Sequence, residues 1–456
     1  MIAVRAEMNR MSILLSHPTG NEFVRHALAG FLEAGSLAEF HTSIATFPGN
    51  CWEQLSRYGG AKELKRRAFD PRLAGLTHQH PFRDLGRMIA DRAGWRFLTR
   101  HERGLFSVDA VYRSMDRAVA DRLTCQPDRF SAVYAYEDGA ACSFAAAKAK
   151  DIICLYDLPI AYWETLRKLL FEEGDRLPAW AETLGGGLAD SAAKLERKTK
   201  ELQMADLVVL PSQFVIDSLP VWARSKHVVL APFGSPPPPD IRVSNIALQE
   251  RVRRAASGQP LRVLFAGSMG QRKGLGDLMA AVRTLGRCDV ELVVMGTLLA
   301  PRDFYESQCP GFVYERGRPH DEVIELMRSC DVLCLPSIVE GRALVMQEAM
   351  SQGLSVIITP NTGGADLVES GPQQLSSNSQ LSASGSSHAT SAVRSPTGFL
   401  VPIRSPEAIA TAIAWYADHR NETIEMGKLA QEKAGAYTWE SYGQTIVAAI
   451  DGMHTN

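Results

Sequence analysis

The sequence predicts two doubly wound α/β domains, on three observations. Strand-like apolar runs alternate with helical patterns along the chain, the runs fall into two series, and four consecutive prolines stand between the series. At 456 residues the chain is about three times the length of an average domain, long enough for two such cores. The first series opens with MSILLSHP (11–18), Gly20 and a helical pattern in which Phe23, Ala27, Leu28, Phe31 and Leu32 form one apolar stripe. It continues with SAVYAY (131–136), DIICLYD (151–157), ADLVVLPS (205–212) and HVVLAP (227–232), each bounded by charged or turn residues. The second series comprises LRVLFAG (261–267), VELVVMG (290–296), FVYERG (312–317), DVLCLPS (331–337) and LSVIITP (354–360). Between them, PFGSPPPPD (232–240) can join neither a helix nor a central strand and favours a stiff extended connection. The domains are therefore expected at 1–235 and 241–435. A Ser-rich surface loop is expected at about 370–397, and WESYGQTIVAAIDGM (439–453) reads as a last helix.

Composition narrows the function classes. Apolar residues make up 45% and charged residues 22%, the balance of a soluble globular chain. Forty-nine basic against fifty-one acidic side chains leave a net charge of -2, too even for a protein whose main partner is a nucleic acid. The eight cysteines are scattered and read as reduced cytosolic thiols, and Cys330 and Cys334, which lack a partner pair at ligand spacing, read as buried packing residues. No signal-like segment and no run of ~18 apolar residues is present, which predicts a cytoplasmic protein that does not span a membrane. His78 and His80 have no carboxylate or second pair at ligand spacing, so no metal site is expected, and no G-x-S-x-G elbow is present. Residues 56–130 hold sixteen basic against nine acidic side chains. That excess is either a set of solvated helix faces or a surface for a phosphorylated or membrane-attached acceptor, drawn by Lys62, Lys65, Arg66 and Arg67 beside Phe69. The second reading places the protein peripherally at the inner face of a membrane.

The richest constellation is LPSIVEGRALVMQEAMSQGLSVIITPNTGGA (335–365). A helix beginning near Gly341 puts Glu340 at its N-terminus and Glu348 two turns in. Helix N-termini expose unpaired N–H groups and favour anions, so this strand end is a plausible diphosphate seat. Glu348 could accept from both hydroxyls of a ribose, and Glu340 could hold sugar hydroxyls or stabilise positive charge at an anomeric carbon. Two glutamates on a solvent-facing helix are the bland alternative. Upstream, Arg272 and Lys273 sit in a glycine-rich turn after a strand, where adjacent cations can face a phosphate cluster.

The pattern P-S-x-x-E-G-x-x-L-x-x-x-E-A-M-x-x-G-x-x-V-I followed by G-G resembles the donor-site signature of glycosyltransferase family 4, retaining enzymes of the GT-B fold. FAGSMGQRKGLGDLMAAV (265–282), RGRPHDEVIELMRSCDVLCLPS (316–337), KTKELQMADLVVLPSQFVIDSL (198–219), APFGS (231–235), GFLVP (398–402) and YTWESY (437–442) fit as well, so the resemblance covers most of the chain. It implies two Rossmann-like domains facing each other across a cleft, the first binding the acceptor, the second the nucleotide sugar, with 436–456 returning to the first domain. The implied activity is retaining, metal-independent transfer of a hexosyl unit to a sugar, glycan, lipid-linked or small-molecule acceptor, with no cofactor beyond the nucleotide-sugar co-substrate. The alternatives are a degraded nucleotide-sugar-binding protein, or a phosphorylase or epimerase on the same fold. Carried over by motif, Glu340, Lys273 and Asp157 are the implied catalytic residues. Gly20, Gly267, Arg272, Lys273, Arg318, Glu340, Gly341, Arg342, Ala343, Leu344 and Glu348 are implied to hold the donor. Three departures stand out: Ser268 replaces the family's arginine after the turn glycine, Tyr156 replaces the histidine before Asp157, and Arg342–Ala343 replace a ring and a glycine.

Overall fold

The computed structural model describes residues 11–57, 59–368 and 392–454, without the side chains of 59–62 and 454; most of the Ser-rich stretch lies outside them. Two seven-stranded sheets carry the fold. The first contains β1 (Ile13–Ser16), β2 (Leu37–Thr42), β3 (Thr77–Gln79), β4 (Ala132–Tyr136), β5 (Ile153–Asp157), β6 (Leu207–Leu210) and β7 (His227–Leu230). They are all parallel, in the order β3-β2-β1-β4-β5-β6-β7. The second contains β8 (Leu261–Ala266), β9 (Val290–Gly296), β10 (Val313–Arg316), β11 (Val332–Leu335), β12 (Ser355–Ile358), β13 (Val393–Arg394) and β14 (Gly398–Leu400). Its order is β10-β9-β8-β11-β12-β14-β13, parallel except for β13 against β14.

All ten strand candidates are strands. β2, β3, β13 and β14 were not expected: LAEFHT and THQ carry Glu39, His41 and His78 where a period-2 apolar pattern would show a strand, and β13 and β14 are two and three residues long, β13 pairing at the end of the stretch expected to be a surface loop. Each strand order reverses beside its first strand, β1 between β2 and β4, and β8 between β9 and β11. Ligands of open parallel sheets bind outside the carboxyl ends of the strands at this switch point. The loops that leave β1 and β8 are thereby the places to look for a site.

Seven helices position those loops: α1 (Glu22–Glu33), α2 (Pro81–Arg92), α3 (Val108–Cys125), α4 (Trp163–Arg176), α5 (Leu275–Leu285), α6 (Leu344–Ser351) and α7 (Trp439–His454). Residues 232–240 contain no helix or strand, as four prolines dictate. One apolar core fills the second domain and two line the faces of the first sheet. α7 leaves the second half of the chain and packs on α1. The two helices cross at glycines, where a Cβ added to Gly30 would stand 2.9 Å from Gly443 Cα. Tyr442, Ile446 and Ile450 of α7 thereby enter the first domain's core. Trp180 makes the opposite crossing: it belongs to the first half of the chain but lies in the second domain's core against Phe304 and Tyr305.

Candidate functional site

The loop from β8 into α5 holds the cation pair. Lys273 folds back over Gly267, where an added Cβ would meet Lys273 Cδ at 2.9 Å, so only a glycine leaves room for the lysine stem. Lys273 Nζ reaches Glu340 Oε1 at 2.8 Å, and Arg272 Nη1 reaches the same oxygen at 3.2 Å. The backbone ties the two loops as well, with Ile338 N–H donating to the Arg272 carbonyl at 2.9 Å. Burial raises the Glu340 carboxyl pKa, but Lys273 and then Arg272 more than offset this and leave it below its ordinary value. Glu340 is therefore an anion held between two cations, the arrangement expected when a phosphate or sugar is to be met by both signs of charge.

α6 starts at Leu344, not near Gly341 as the sequence suggested, so Glu340 stands in the preceding loop and Glu348 only one turn in. The shift has a local cause: Glu340 N–H and Ala343 N–H donate to the carbonyls of Asn361 and Thr362, which keeps 340–343 extended. The first N–H groups of α6 still lack intrahelical partners. Glu348 is half-buried, with His320 Nδ1 at 4.0 Å. Burial raises its pKa, His320 opposes this, and the charge of Glu22 on α1 adds to the rise. Leu344 packs against the first domain's core.

Gly20 supplies the matching loop after β1. Its φ of 62° lies in the left-handed region, and a Cβ there would collide with the Phe69 ring. His17, which the sequence reading passed over, holds this turn: its Nδ1 accepts from Thr19 N–H and Gly20 N–H, both at 3.0 Å. Burial and then Arg67 push the His17 pKa down to about 3, so the ring stays neutral and can accept. A lone buried histidine at a strand end has no periodic or spacing signature, which is why it was missed.

Other expected site residues lie elsewhere. Arg342 is buried, donates to Gln347 Oε1 at 2.9 Å and Asp366 Oδ1 at 2.8 Å, and stacks over Tyr437 at 4.9 Å, so its side chain braces the α6 loop from behind. Arg318 pairs with Glu315. Asp157 is 1% exposed and turned into the core beneath α7, where Tyr134 donates at 2.6 Å and Tyr442 at 3.4 Å. Burial lifts its pKa to about 7, and these bonds hold it down only partly. It touches no open surface, so its placement corrects the catalytic role carried over by motif. Tyr156 is also buried, its hydroxyl 3.4 Å from Glu201. Of the expected basic acceptor surface at 62–69, Lys65 and Arg66 are exposed. Arg67 is spent on Asp84 at 2.8 Å and the Pro18 carbonyl at 3.1 Å, and Phe69 is buried beneath Arg25. The Lys62 side chain lies outside the described residues.

The two domains meet through direct contacts around the loops of the second. Ser212 Oγ donates to the Gly341 carbonyl at 2.6 Å, and a side chain on Gly341 would run into the Pro159 carbonyl. Further along, Gln271 N–H donates to Thr183 Oγ1 at 3.0 Å and Gln271 Nε2 to Glu173 at 2.7 Å and Asp277 at 2.8 Å. Arg176 adds 2.8 Å bonds to Asp277. Arg404 donates to Glu173 at 2.8 Å. α4 of the first domain is thus braced against the cation loop of the second. Topology also gathers Glu39, His41 and His78 at the first sheet's edge, giving His78 the carboxylate that sequence spacing did not show. Arg122 and Arg129 both pair with Glu39, so that carboxylate is already neutralised and the set is a poor cation site.

A family model described as glycosyl transferases group 1 matches residues 260–419. Curated relatives include the D-inositol 3-phosphate glycosyltransferase of Paenarthrobacter aurescens, 27% identical over 222 residues, 45% of this chain and 48% of that protein. Another is the amylovoran biosynthesis glycosyltransferase AmsK of Erwinia amylovora, 30% identical over 135 residues, 25% of this chain and 32% of that one. The chain spans less than half the length of these curated relatives. Among solved structures, HepE of Anabaena in complex with UDP superposes with a TM-score of 0.56 at 14% identity, over 97% of this chain and 100% of that one. Sucrose-phosphate synthase of Thermosynechococcus elongatus gives 0.62 at 15% identity, over 98% and 100%. At these identities the structures establish the shared architecture, the GT-B fold.

Proposed function

We infer that this chain, whose residues 260–419 match the model of the glycosyl transferases group 1, transfers a hexosyl unit from a nucleoside-diphosphate sugar to an acceptor held by the first domain. The observation that carries the reading is the convergence of Lys273 and Arg272 on Glu340 at the switch point of the second sheet. A diphosphate entering between the loops would displace part of this ion pairing and take Lys273 and Arg272 as its own partners. That charge compensation stabilises the nucleoside diphosphate as it leaves and requires no metal. The N-terminus of α6 adds unpaired N–H groups beside it. Glu348 accepts from the ribose hydroxyls, and Glu340, freed from the cations, faces the sugar. The reaction proceeds with retention: the departing diphosphate takes the acceptor proton on the face it leaves, so no protein nucleophile is assigned. Asp157 positions α7 rather than reacting. Seated between opposed domains, the donor is shielded from water and its hydrolysis is suppressed.

Calorimetry without added metal tests this reading. UDP, GDP and ADP and their sugars are titrated into wild type, Lys273→Ala and Glu348→Ala. One nucleotide should bind in the micromolar range, weakened about tenfold or more by either substitution. Binding by none of them sinks the donor-site assignment. With an acceptor in hand, the anomeric configuration of the product decides retention, and fast transfer over slow donor hydrolysis separates a transferase from a phosphorylase or epimerase.

A further inference from the structure

The arginine-rich stretch presents a surface that glycosyl transfer does not use. α2 turns Asp84, Met88 and Ala90 inward and leaves Phe82 and Ile89, two turns apart on one face, 71% and 57% exposed. The segment that follows adds Trp95, Phe97, Leu105 and Val108, each at least half exposed, with Phe97 at 73%. The fold draws several of these together. Arg83 Nη1 donates to the Leu105 carbonyl at 2.6 Å, Phe82 meets Phe106 edge-on at 6.0 Å, and Phe106 N–H bonds the Leu98 carbonyl at 2.8 Å. Six large apolar side chains are exposed between 82 and 108, a density that scattered single ones would not give.

The charges around the patch are one-sided. Residues 82–108 hold six arginines against three acids. All three acids are committed: Asp84 to Arg67 and Arg87, Asp91 to Arg87, and Glu102 to Ser191. Arg92, Arg96, Arg100 and Arg103 are exposed and form no ion pair among the described residues. Aromatic rings beside unpaired arginines, with no free acid among them, match the chemistry of the headgroup zone of an anionic bilayer. There the rings sit at headgroup depth and the guanidinium groups meet lipid phosphates.

We propose that the face formed by α2 and residues 95–108 docks the protein on an anionic lipid surface. The occupant follows from charge complementarity. The inner side of α2 links this face to the site, because Asp84 holds Arg67, which donates to the Pro18 carbonyl in the Gly20 turn. A docked protein would therefore hold its acceptor-side loop at a defined height above the headgroups.

The full chain is floated with vesicles of phosphatidylcholine alone and of phosphatidylcholine with a third phosphatidylglycerol. Binding should require the anionic lipid and decline as salt rises. Arg96→Glu and Arg100→Glu should each weaken partition about fivefold or more. The pair Trp95→Ser/Phe97→Ser should weaken it about tenfold, with melting temperature and nucleotide affinity unchanged. Equal binding to both vesicle types, no binding to either, or full binding by the variants overturns the proposal. So does sedimentation that shows self-association lost in Trp95→Ser/Phe97→Ser without any vesicle binding, which would make the face a contact between copies of the chain.

Discussion

His17 and Asp157 are both buried at ends of strands in the first sheet, and burial acts on them in opposite senses. His17 is kept neutral, which frees Nδ1 to accept from the Gly20 turn. Asp157 has its pKa lifted to about 7, so near neutrality the folded protein holds a proton that the unfolded chain releases. The sign follows: the folded state binds more protons between the ordinary carboxylate pKa and about 7, so this residue erodes stability as pH rises through that window. A shift of this size amounts to about 4 kcal/mol at most. Asp157→Asn keeps an acceptor for Tyr134 and removes the charge. It should raise the melting temperature by several degrees at pH 8, change it little at pH 5, and leave nucleotide affinity intact. A variant that melts lower at pH 8 would contradict the burial argument, and a lost transfer rate at unchanged stability would restore Asp157 to the catalytic set.

Two elements exchanged between domains hold the molecule together. α7 returns to the first domain through the Gly30–Gly443 crossing and delivers Tyr442 to Asp157. Gly443→Val places a branched side chain where backbones touch, and overpacking of this kind costs about 1–3 kcal/mol or more. Thermal unfolding should show an earlier transition with α7 detached, and limited proteolysis should cut near 436. An unchanged melting curve would show that the crossing relaxes without strain. In the other direction, α4 and Trp180 lean on the cation loop, Trp180 inside the second domain's core and Glu173 bonded to Gln271 and Arg404. Trp180→Ala should cost about 3–5 kcal/mol by opening a cavity. Small-angle scattering should then show a larger radius of gyration, because the same side chain fastens one domain to the other. Destabilisation at constant radius would make Trp180 a core residue only.

For the molecule as a whole, the alternation of apolar runs, the proline break and the glycine turns were legible along the chain. They suffice for two parallel sheets because strand and helix periodicity and backbone restriction are local properties. The donor-side cluster was legible for the same reason: Arg272, Lys273 and Glu340 sit in loops whose composition and spacing form a readable pattern. Short polar strands were not, since β2 and β3 owe their existence to neighbours rather than to their own pattern. Nor could spacing tell which way a side chain turns, and that assigned Arg342 to Asp366 and sent Asp157 into the core. The sequence by itself determined the two-domain α/β architecture and the residue types at the candidate donor site. Only the tertiary structure decided the neutral His17 brace, the exchange of α7 and Trp180, and the exposed aromatic and arginine face. The physical reason is that burial, ionisation and exposure depend on what packs against a residue from distant parts of the chain.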